Sequence, residues 1–386
     1  MPLNRNLNED QILLRDTVRK FAEEEIYHKA KELDEKEEFS YELTQGMADL
    51  GLLGALIPEE YGGSALDYVS YIIAVEEIAR IDGSHGATVA AHNSLGTGPL
   101  ITFGNEEQKK KYLPKLATGN LWGFGLTEPE AGSDAGNTQT TAEKDGDEWV
   151  INGSKIFITN SATDKTLGST VLAKTGTSAN GKSELTCFIV ENDARGFTQK
   201  EMHGKMMWRA SNTGELYFED VRVKDSAILG KRGDGFKQML ATLDKGRLSI
   251  AAMGLGLAQG AFEYMLKYSK ERKTFGKPIS TYQANAFKMA DVEMGLELSR
   301  PYLYDVCRMA EEKLNITKEG AIAKLYCSEL AHTAANHCVQ ILGGYGLMKE
   351  YDAEKYYRDQ KLLEIGEGTS EIQRIVIARA LGCFDY

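Results

Sequence analysis

Cysteine and histidine are scarce in this sequence of 386 residues, which contains five cysteines and six histidines. The cysteines lie far apart and form no CxxC pair, a spacing typical of reduced thiols rather than of disulfides or a zinc site. The histidines form no HxxxH or HExxH pair, so no metal centre is predicted. The cysteines are Cys187, Cys307, Cys327, Cys338 and Cys383.

Long apolar runs and an excess of basic charge are missing as well. No stretch of about 18 apolar residues is present, so no membrane partner is expected. The N-terminus carries acidic residues and no apolar run of the secretory type, which predicts a cytoplasmic location. The chain has 45 Lys and Arg against 57 Asp and Glu, a net charge of −12. Because such a surface repels phosphate, no nucleic-acid partner is expected.

The composition divides the chain into three zones. Residues 1–122 have the periodicity of amphipathic helices, with one helix predicted over Tyr68–Ile81. Residues 123–233 form short alternating runs separated by turn residues, and residues 234–386 return to helical patterns rich in Ala, Leu, Met and Glu. The prediction is a mostly α protein with an N-terminal helical domain, a middle β-domain and a C-terminal helical domain. The missing βαβ alternation argues against a doubly wound nucleotide-binding fold.

Turn residues in the middle zone predict its strands. Asp145-Gly146 marks a hairpin, and Asn152-Gly153 predicts a second turn shortly after it. Further strands are predicted over 185–190 and 215–223.

Two glycine-rich segments allow more than one interpretation. Gly254 to Gly260 has the spacing GxGxxxG inside a helical stretch, without the preceding strand that a dinucleotide loop needs, so close helix packing is favoured. The segment from Gly123 to Asp134 either offers backbone N–H groups and hydroxyls to a heterocycle or phosphate, or simply joins two domains.

Two charged residues near the C-terminus are also ambiguous on spacing alone. Glu367 lies between Gly366 and Gly368 in an apolar region, where it is either a base with a raised pKa or a solvated residue in a turn. Arg272 either grips a phosphate or ends a helix before Gly276.

Five segments occur in order along the chain: GLTEPEAGSD, INGSKIFITN, ERKTFGKPI, QILGGYG and GEGTSEIQR. In this order and at these spacings they resemble the acyl-CoA dehydrogenase family, from about Leu7 to Ala380. The resemblance implies an N-terminal helical domain, a middle β-barrel and a C-terminal four-helix bundle, with FAD between the sheet and the C-terminal helices.

The resemblance also implies site residues. Those that contact the flavin are Phe124, Leu126, Thr127, Gly132, Ser133, Phe157, Ile158 and Thr159. Those that hold the rest of FAD, partly across a dimer contact, are Arg272, Thr274, Phe275, Gln283, Gln340, Gly343, Gly344, Thr369 and Glu371. Those that face the acyl-CoA are Ser133, Asp244, Arg247, Gly366 and Gly368.

The reaction implied is the α,β-dehydrogenation of an acyl-CoA thioester to the trans-2-enoyl-CoA. Glu367 removes the α-proton, a hydride leaves Cβ for flavin N5, and the Glu367 N–H with a ribityl hydroxyl stabilises the thioester oxygen. Family members with the base on an earlier helix carry it at the position of Gly246, which cannot serve. Electron-transferring flavoprotein as the redox partner and a homotetramer are further implications.

Departures from the family pattern concern the substrate. Most members with this base have Tyr where this chain has Gly366, so a short, branched acyl group is predicted to fit. Gly86 replaces the arginine of the glutaryl-specific branch, which disfavours a dicarboxylic substrate. His92 lies either at the far end of the acyl cavity or on the surface. The alternatives are an enoyl-CoA reductase in an electron-bifurcating complex, a dehydrogenase of cyclic or dicarboxylic esters, and a catalytically idle flavoprotein scaffold.

Overall fold

The N-terminal zone is helical in the computed structural model, which describes residues 7–177 and 181–384. Its helices are α1 (Glu9–Phe21), α2 (Tyr27–Lys36), α3 (Tyr41–Asp49), α4 (Tyr68–Ile81), α5 (Gly83–Ala91), α6 (Gly98–Phe103) and α7 (Glu106–Ala117). The helix predicted over Tyr68–Ile81 is confirmed. It begins where the Asp67 carboxylate accepts a hydrogen bond from the Ser70 N–H, which satisfies a free donor of the first turn. A π-helical segment, His92–Thr97, continues α5 into α6.

The middle zone is a β-domain, as the sequence predicts, and its strands form a mixed sheet. Its strands are β1 (Leu121–Gly125), β2 (Thr141–Asp145), β3 (Glu148–Thr159), β4 (Thr166–Thr177), β5 (Ser183–Glu191), β6 (Phe197–Glu201) and β7 (Thr213–Lys224). Their hydrogen-bonded order is β1-β4-β2-β3-β7-β6, with β5 also paired to β4, and β1 runs parallel to β4. The hairpin predicted at Asp145-Gly146 is confirmed, since Asp145 pairs with Glu148.

The second predicted turn, at Asn152-Gly153, is wrong. Strand β3 continues through both residues and shifts register between Ile151 and Gly153 against β7. Gly153 has a φ of +142°, and a Cβ there would come within 2.7 Å of Thr140. The Asn-Gly pair therefore forms a β-bulge, in which glycine supplies the backbone conformation and the close approach that a side chain would forbid.

The C-terminal zone returns to helices that surround one long central helix. Its elements are α8 (Gly235–Glu271), β8 (Lys273–Thr274), β9 (Lys277–Pro278), α9 (Gln283–Glu311), α10 (Thr317–Leu342), α11 (Ala353–Asp359) and α12 (Ser370–Ala380). The packing role predicted for the glycines of α8 is confirmed. Added Cβ atoms at Gly254, Gly256 and Gly260 would lie 2.7, 2.3 and 2.0 Å from backbone carbonyl oxygens of α10 and α4. Helix α8 is thus in backbone contact with both neighbours.

Charged side chains join α4 to α9 inside the protein. Glu76 is 4% exposed, and its two carboxylate oxygens accept hydrogen bonds from Arg300 Nε at 2.7 Å and from the Tyr304 hydroxyl at 2.8 Å. Each oxygen therefore has a donor, which a buried carboxylate requires. Among the described helices, none combines the length and the apolar character needed to cross a membrane.

Candidate active site

The loop after β1, which the family resemblance assigns to the flavin, is fixed by a buried lysine. Lys155 is 1% exposed, and its ammonium donates to the Leu126 carbonyl at 3.1 Å and to Glu128 Oε1 at 2.6 Å. The Glu128 carboxylate also accepts from the N–H of Gln139 at 2.6 Å. Burial lowers the pKa of Lys155 to about 8, against the opposing charge of Glu128. The ion pair thus holds the segment 126–128 against β3, and sequence analysis missed it.

An exposed aromatic ring lies next to this loop. The Ile156 N–H donates to the Thr127 carbonyl at 2.9 Å, so the loop and β3 are joined directly. Phe157 follows at a register shift of β3, with a φ of +62° and with 62% of the residue exposed. An aromatic residue in a left-handed conformation that leaves its ring in solvent is typical of a binding site. Ile158 is buried, and Thr159 is half-buried.

The other residues assigned to this loop region differ in exposure. Phe124 and Leu126 are buried, while Gly132 and Ser133 are exposed. No atom lies within 4 Å of a Cβ added at Gly132, so the space above this backbone is open. The region therefore combines a half-buried hydroxyl, an exposed ring and open backbone, groups that suit a planar heterocycle.

A second group of predicted residues surrounds one cavity of about 620 Å³ in the C-terminal zone. The predicted residues that line it are Arg272, Thr274, Gln340, Gly343 and Gly344. Gly343 and Gly344 have nothing within 4 Å of an added Cβ. A guanidinium, an amide and open backbone in one cavity fit the polar half of a dinucleotide.

Two residues predicted with this group lie elsewhere. Phe275 and Gln283 are absent from the lining of the cavity among the described residues, and Phe275 is 97% exposed. Phe275 has a φ of +49° in the tight turn between β8 and β9, which turns its ring outward. The assignment of this ring to FAD stays a prediction.

A turn before α12 holds Glu367 in a rare backbone conformation. Glu367 has a φ of +53° and Gly368 a φ of +92°. The Gln373 amide donates to the carbonyls of Glu367 at 3.2 Å and Gly368 at 2.9 Å. The Thr369 hydroxyl accepts from the Ile372 N–H at 3.2 Å and caps α12. A non-glycine residue with this φ persists only where its surroundings hold it, and it is common at functional sites.

The carboxylate of Glu367 is buried at one end and lacks a partner. Its Oε2 atom is inaccessible and has no hydrogen-bond partner among the described residues, although the residue as a whole is half-buried. This oxygen lies 2.0 Å from the position of a Cβ added at Gly246 of α8. Burial raises the pKa of Glu367 to about 7, opposed by the positive charges of Lys324 and Arg247. Glu367 is therefore a carboxylate that can exchange a proton near neutral pH.

The predicted thioester-facing residues surround Glu367 in part. Arg247 directly follows Gly246 on α8; it is buried and donates to Asp244 Oδ1 at 2.6 Å. Gly366 and Gly368 flank Glu367 in the turn. Ser133 is an exposed residue of the middle zone, and Glu371 is exposed in the first turn of α12.

His92 lies in the interior, so the surface interpretation of this residue is wrong. It is 0% exposed, and its Nε2 lies 3.1 Å from the Leu116 carbonyl. Burial lowers the pKa of His92 to about 4, so the ring is neutral at physiological pH.

Comparison with known proteins agrees with this arrangement. The families described as acyl-CoA dehydrogenase N-terminal, middle and C-terminal domains match residues 8–120, 123–221 and 233–382. The chain belongs to the acyl-CoA dehydrogenase family and is a flavin-dependent oxidoreductase. The resemblance seen in the sequence is thereby confirmed.

Individual relatives cover essentially the whole chain. The probable acyl-CoA dehydrogenase YngJ of Bacillus subtilis is 49% identical over 98% of this chain and 100% of its own length. The butyryl-CoA dehydrogenase structure of Megasphaera elsdenii has a TM-score of 0.93 and 40% identity, over 98% and 100% of the two chains. A chain in a structure described as an electron transferring flavoprotein of Acidaminococcus fermentans has a TM-score of 0.94 and 41% identity, over 98% and 99%.

Proposed function

We propose that this protein removes the α-proton of a short-chain acyl-CoA with Glu367 and yields the trans-2-enoyl-CoA. The observation that carries the proposal is the buried, unpartnered Oε2 of Glu367, whose pKa is raised to about 7. A base works best when its pKa lies close to the operating pH, and desolvation by a bound acyl chain raises it further. FAD, when bound, supplies the acceptor for the hydride that leaves Cβ.

Residues of the turn prepare the proton transfer. Within the described chain the Glu367 N–H donates no hydrogen bond, so it is free to stabilise a thioester oxygen as negative charge develops on it. Gly246 leaves room for the carboxylate, since a side chain at this position would collide with it. The alternative position for a base on α8 and the base at Glu367 are therefore mutually exclusive in this backbone.

The residues that would hold FAD form the two groups described above. Thr127, Phe157 and Thr159 offer hydroxyl and ring contacts near the sheet, and Arg272 and Gln340 offer donors in the cavity of the C-terminal zone. We also propose a dimer, because the family resemblance assigns the residues of this C-terminal cavity to the FAD of a neighbouring subunit. A homotetramer and electron-transferring flavoprotein as the electron acceptor belong to the same proposal, and the Acidaminococcus neighbour supports the latter.

The substrate we propose is short and tolerates branching. A Cβ at Gly366 would meet the Leu362 side chain at 3.1 Å and no other atom that close, so the glycine leaves space beside the base. A dicarboxylic ester is disfavoured because Gly86 packs against α4. An added Cβ there would lie 3.0 Å from Ala79 Cβ and 3.2 Å from its Cα, which leaves no room for an arginine.

The test is an anaerobic titration of the purified holoprotein with acyl-CoA esters, in which bleaching of the flavin is followed. The panel contains butyryl, hexanoyl, octanoyl, isobutyryl, isovaleryl, 2-methylbutyryl, glutaryl and cyclohexanecarboxyl esters. We expect butyryl and at least one branched ester to bleach the flavin. Bleaching by none of them contradicts the proposal, and bleaching by straight esters alone removes its branched part. Oxidation of the reduced flavin by electron-transferring flavoprotein tests the partner.

A further inference from the structure

Lys324 is a buried cation without a counter-ion. It lies within α10 with an exposure of 0%, and no ion pair of residues 7–177 and 181–384 includes it. Its ammonium donates one hydrogen bond, to the Gly368 carbonyl at 2.8 Å. Because an ammonium carries three donors and its desolvation is costly, such a residue needs an explanation beyond packing.

The Gly368 carbonyl does not need this lysine as a donor. It also accepts a hydrogen bond from the Gln373 amide at 2.9 Å, so an apolar residue at position 324 would leave it satisfied. Lys155 differs, because it is paired directly with Glu128 at 2.6 Å. Burial of an unpaired cation is costly, so an apolar residue of the same length is expected to be no less stable at this position. Stability therefore gives no reason for a lysine here.

The turn that Lys324 contacts carries the carboxylate of the candidate active site. Glu367 and Gly368 are both left-handed, and Lys324 and Gln373 hold the carbonyl side of this turn from α10 and α12. Resting on the proposed function, we propose that Lys324 is a positioning residue for Glu367. Its ammonium anchors the turn through the Gly368 carbonyl and brings a positive charge to the neighbourhood of the unpartnered carboxylate.

Other charged groups face this pair from the neighbouring elements. Around Glu367 they are Arg247 of α8 and Lys324 of α10, and Tyr71 of α4 also senses its charge. Around Lys324 they are Glu364, Glu367, Glu371 and Arg247. Arg247 is already paired with Asp244, and Glu364 with Lys361. Lys324 is therefore the nearby cation that has no carboxylate within ion-pair distance among the described residues.

Burial lowers the pKa of Lys324 to about 8, with the charge of Glu367 opposing the shift. The ammonium is therefore still protonated at pH 7. Removal of its charge takes away one of the two cations that oppose the rise in the Glu367 pKa. The base then ionises only at higher pH.

The experiment compares Lys324→Met, Lys324→Gln and the wild-type holoprotein. Methionine removes the charge and the donor, whereas glutamine removes the charge and keeps a donor. The rate of anaerobic flavin reduction by butyryl-CoA is measured against pH, and we expect the apparent pKa of both variants to rise by about one unit. We expect the rate at the plateau to fall by at least about tenfold in Lys324→Met and by less in Lys324→Gln, because a loosened turn misplaces the carboxylate.

Ser328→Ala is the matched control. Ser328 lies one turn along α10, and its hydroxyl is within hydrogen-bond distance of the Lys324 carbonyl at 2.7 Å and of the Leu363 carbonyl at 3.0 Å. Its loss therefore disturbs the packing of α10 on the segment before the turn without removing a charge. We expect its pH profile to coincide with that of the wild type. A profile shifted as far as that of Lys324→Met would assign the effect to helix packing and overturn the proposal.

A second readout needs no turnover. Thermal midpoints of the holoproteins are compared between about pH 5 and 7.5, a range below the pKa of Lys324 in which Glu367 titrates. As pH rises, we expect the thermal midpoint of Lys324→Met to fall more steeply than that of the wild type. This difference in slope should vanish when Glu367→Gln is added to both proteins. If no thioester reduces the wild-type flavin, the proposed function fails. The thermal comparison of the single and double variants still tests whether Lys324 acts on Glu367.

Coincident pH profiles and equal pH slopes in folded variants would overturn the proposal. Loss of the fold in both lysine variants would overturn it too, because Lys324 would then be a structural residue.

Discussion

Two glutamates near the central helix α8 differ in whether their buried carboxylate oxygens have hydrogen-bond partners. Glu76 of α4 receives hydrogen bonds on both carboxylate oxygens, from Arg300 and Tyr304. Glu367 has a buried Oε2 without a partner in the described chain, and its backbone is left-handed. Glu76 has its charge compensated within the helices, whereas Glu367 keeps a free oxygen and a pKa of about 7.

This difference separates a structural acid from the one that we propose to be catalytic. A fully satisfied buried carboxylate stabilises the arrangement of its partners but has no reason to exchange a proton. An unsatisfied carboxylate destabilises the folded state, and such a cost is retained where chemistry needs the group. The comparison predicts that substitution of Glu367 affects chemistry, while substitution around Glu76 affects stability.

The largest effect is expected from Glu367→Gln. The amide preserves the shape of the side chain but cannot accept the α-proton, so flavin reduction by butyryl-CoA should fall by at least about a hundredfold. FAD should be retained, as measured by the flavin-to-protein ratio. Glu76→Gln is the matched control, and its folded fraction should reduce flavin at the wild-type rate. A Glu367→Gln rate above a few per cent of wild type would assign the base to another residue.

The converse substitution is Arg300→Met. It leaves Glu76 with one donor and an uncompensated charge in the interior, and we expect a loss of about 3–5 kcal/mol in the free energy of unfolding. Urea unfolding followed by circular dichroism measures it. The double variant Glu76→Gln/Arg300→Met should recover part of this loss, because the unpaired charge is gone. A single variant as stable as the wild type would show that the pair contributes little.

The pH dependence of stability should reveal Glu367 as well. Its folded pKa of about 7 lies above the ordinary value of 4.5, so the folded state binds the proton more tightly than the unfolded state. Stability therefore falls as pH rises from about 4.5 to 7, by up to about 3 kcal/mol. Glu367→Gln should lack this decline, which urea unfolding at several pH values measures. Parallel curves for the two proteins would contradict the raised pKa.

Gly246→Ala tests the space beside the base. A Cβ at this position would lie 2.0 Å from Glu367 Oε2, so the carboxylate must move. We expect flavin reduction to fall by about tenfold to a hundredfold, since small misplacements of a reacting group are costly. Gly98→Ala on α6 is the control, because its Cβ meets only the Asn93 carbonyl at 3.4 Å. An unchanged rate in Gly246→Ala would mean that the carboxylate has room to spare.

Much of this architecture follows from local sequence signals. Helix α4 spans the residues that its apolar periodicity indicates, and the Asp145-Gly146 hairpin has the predicted turn. The turn predicted at Asn152-Gly153 is wrong because the same dipeptide occurs both in turns and in bulges. Only the pairing of β3 with β7 distinguishes the two.

The site is less visible in the sequence than the fold. Glu367 between two glycines is ambiguous by itself, and the family resemblance assigns its role. Lys155 and Lys324 carry no local signal, because their partners lie 27 and 44 residues away along the chain. The partner of Lys324 is moreover a backbone carbonyl, which no side-chain pattern reveals. Burial of such groups becomes apparent only once the helices and the sheet are assembled.

The smallest effect concerns the shape of the site rather than its charge. Gly366→Tyr adds a ring next to Glu367 at a position whose φ is not left-handed, so the backbone tolerates a side chain once Leu362 shifts. We expect the ratio of kcat/KM for isobutyryl-CoA to that for butyryl-CoA to fall by about tenfold, because a steric change in an apolar pocket discriminates by this order. Gly366→Ala should lower it less. An unchanged ratio in a folded Gly366→Tyr protein would mean that the branched group lies away from residue 366, whereas Glu367 would keep its role.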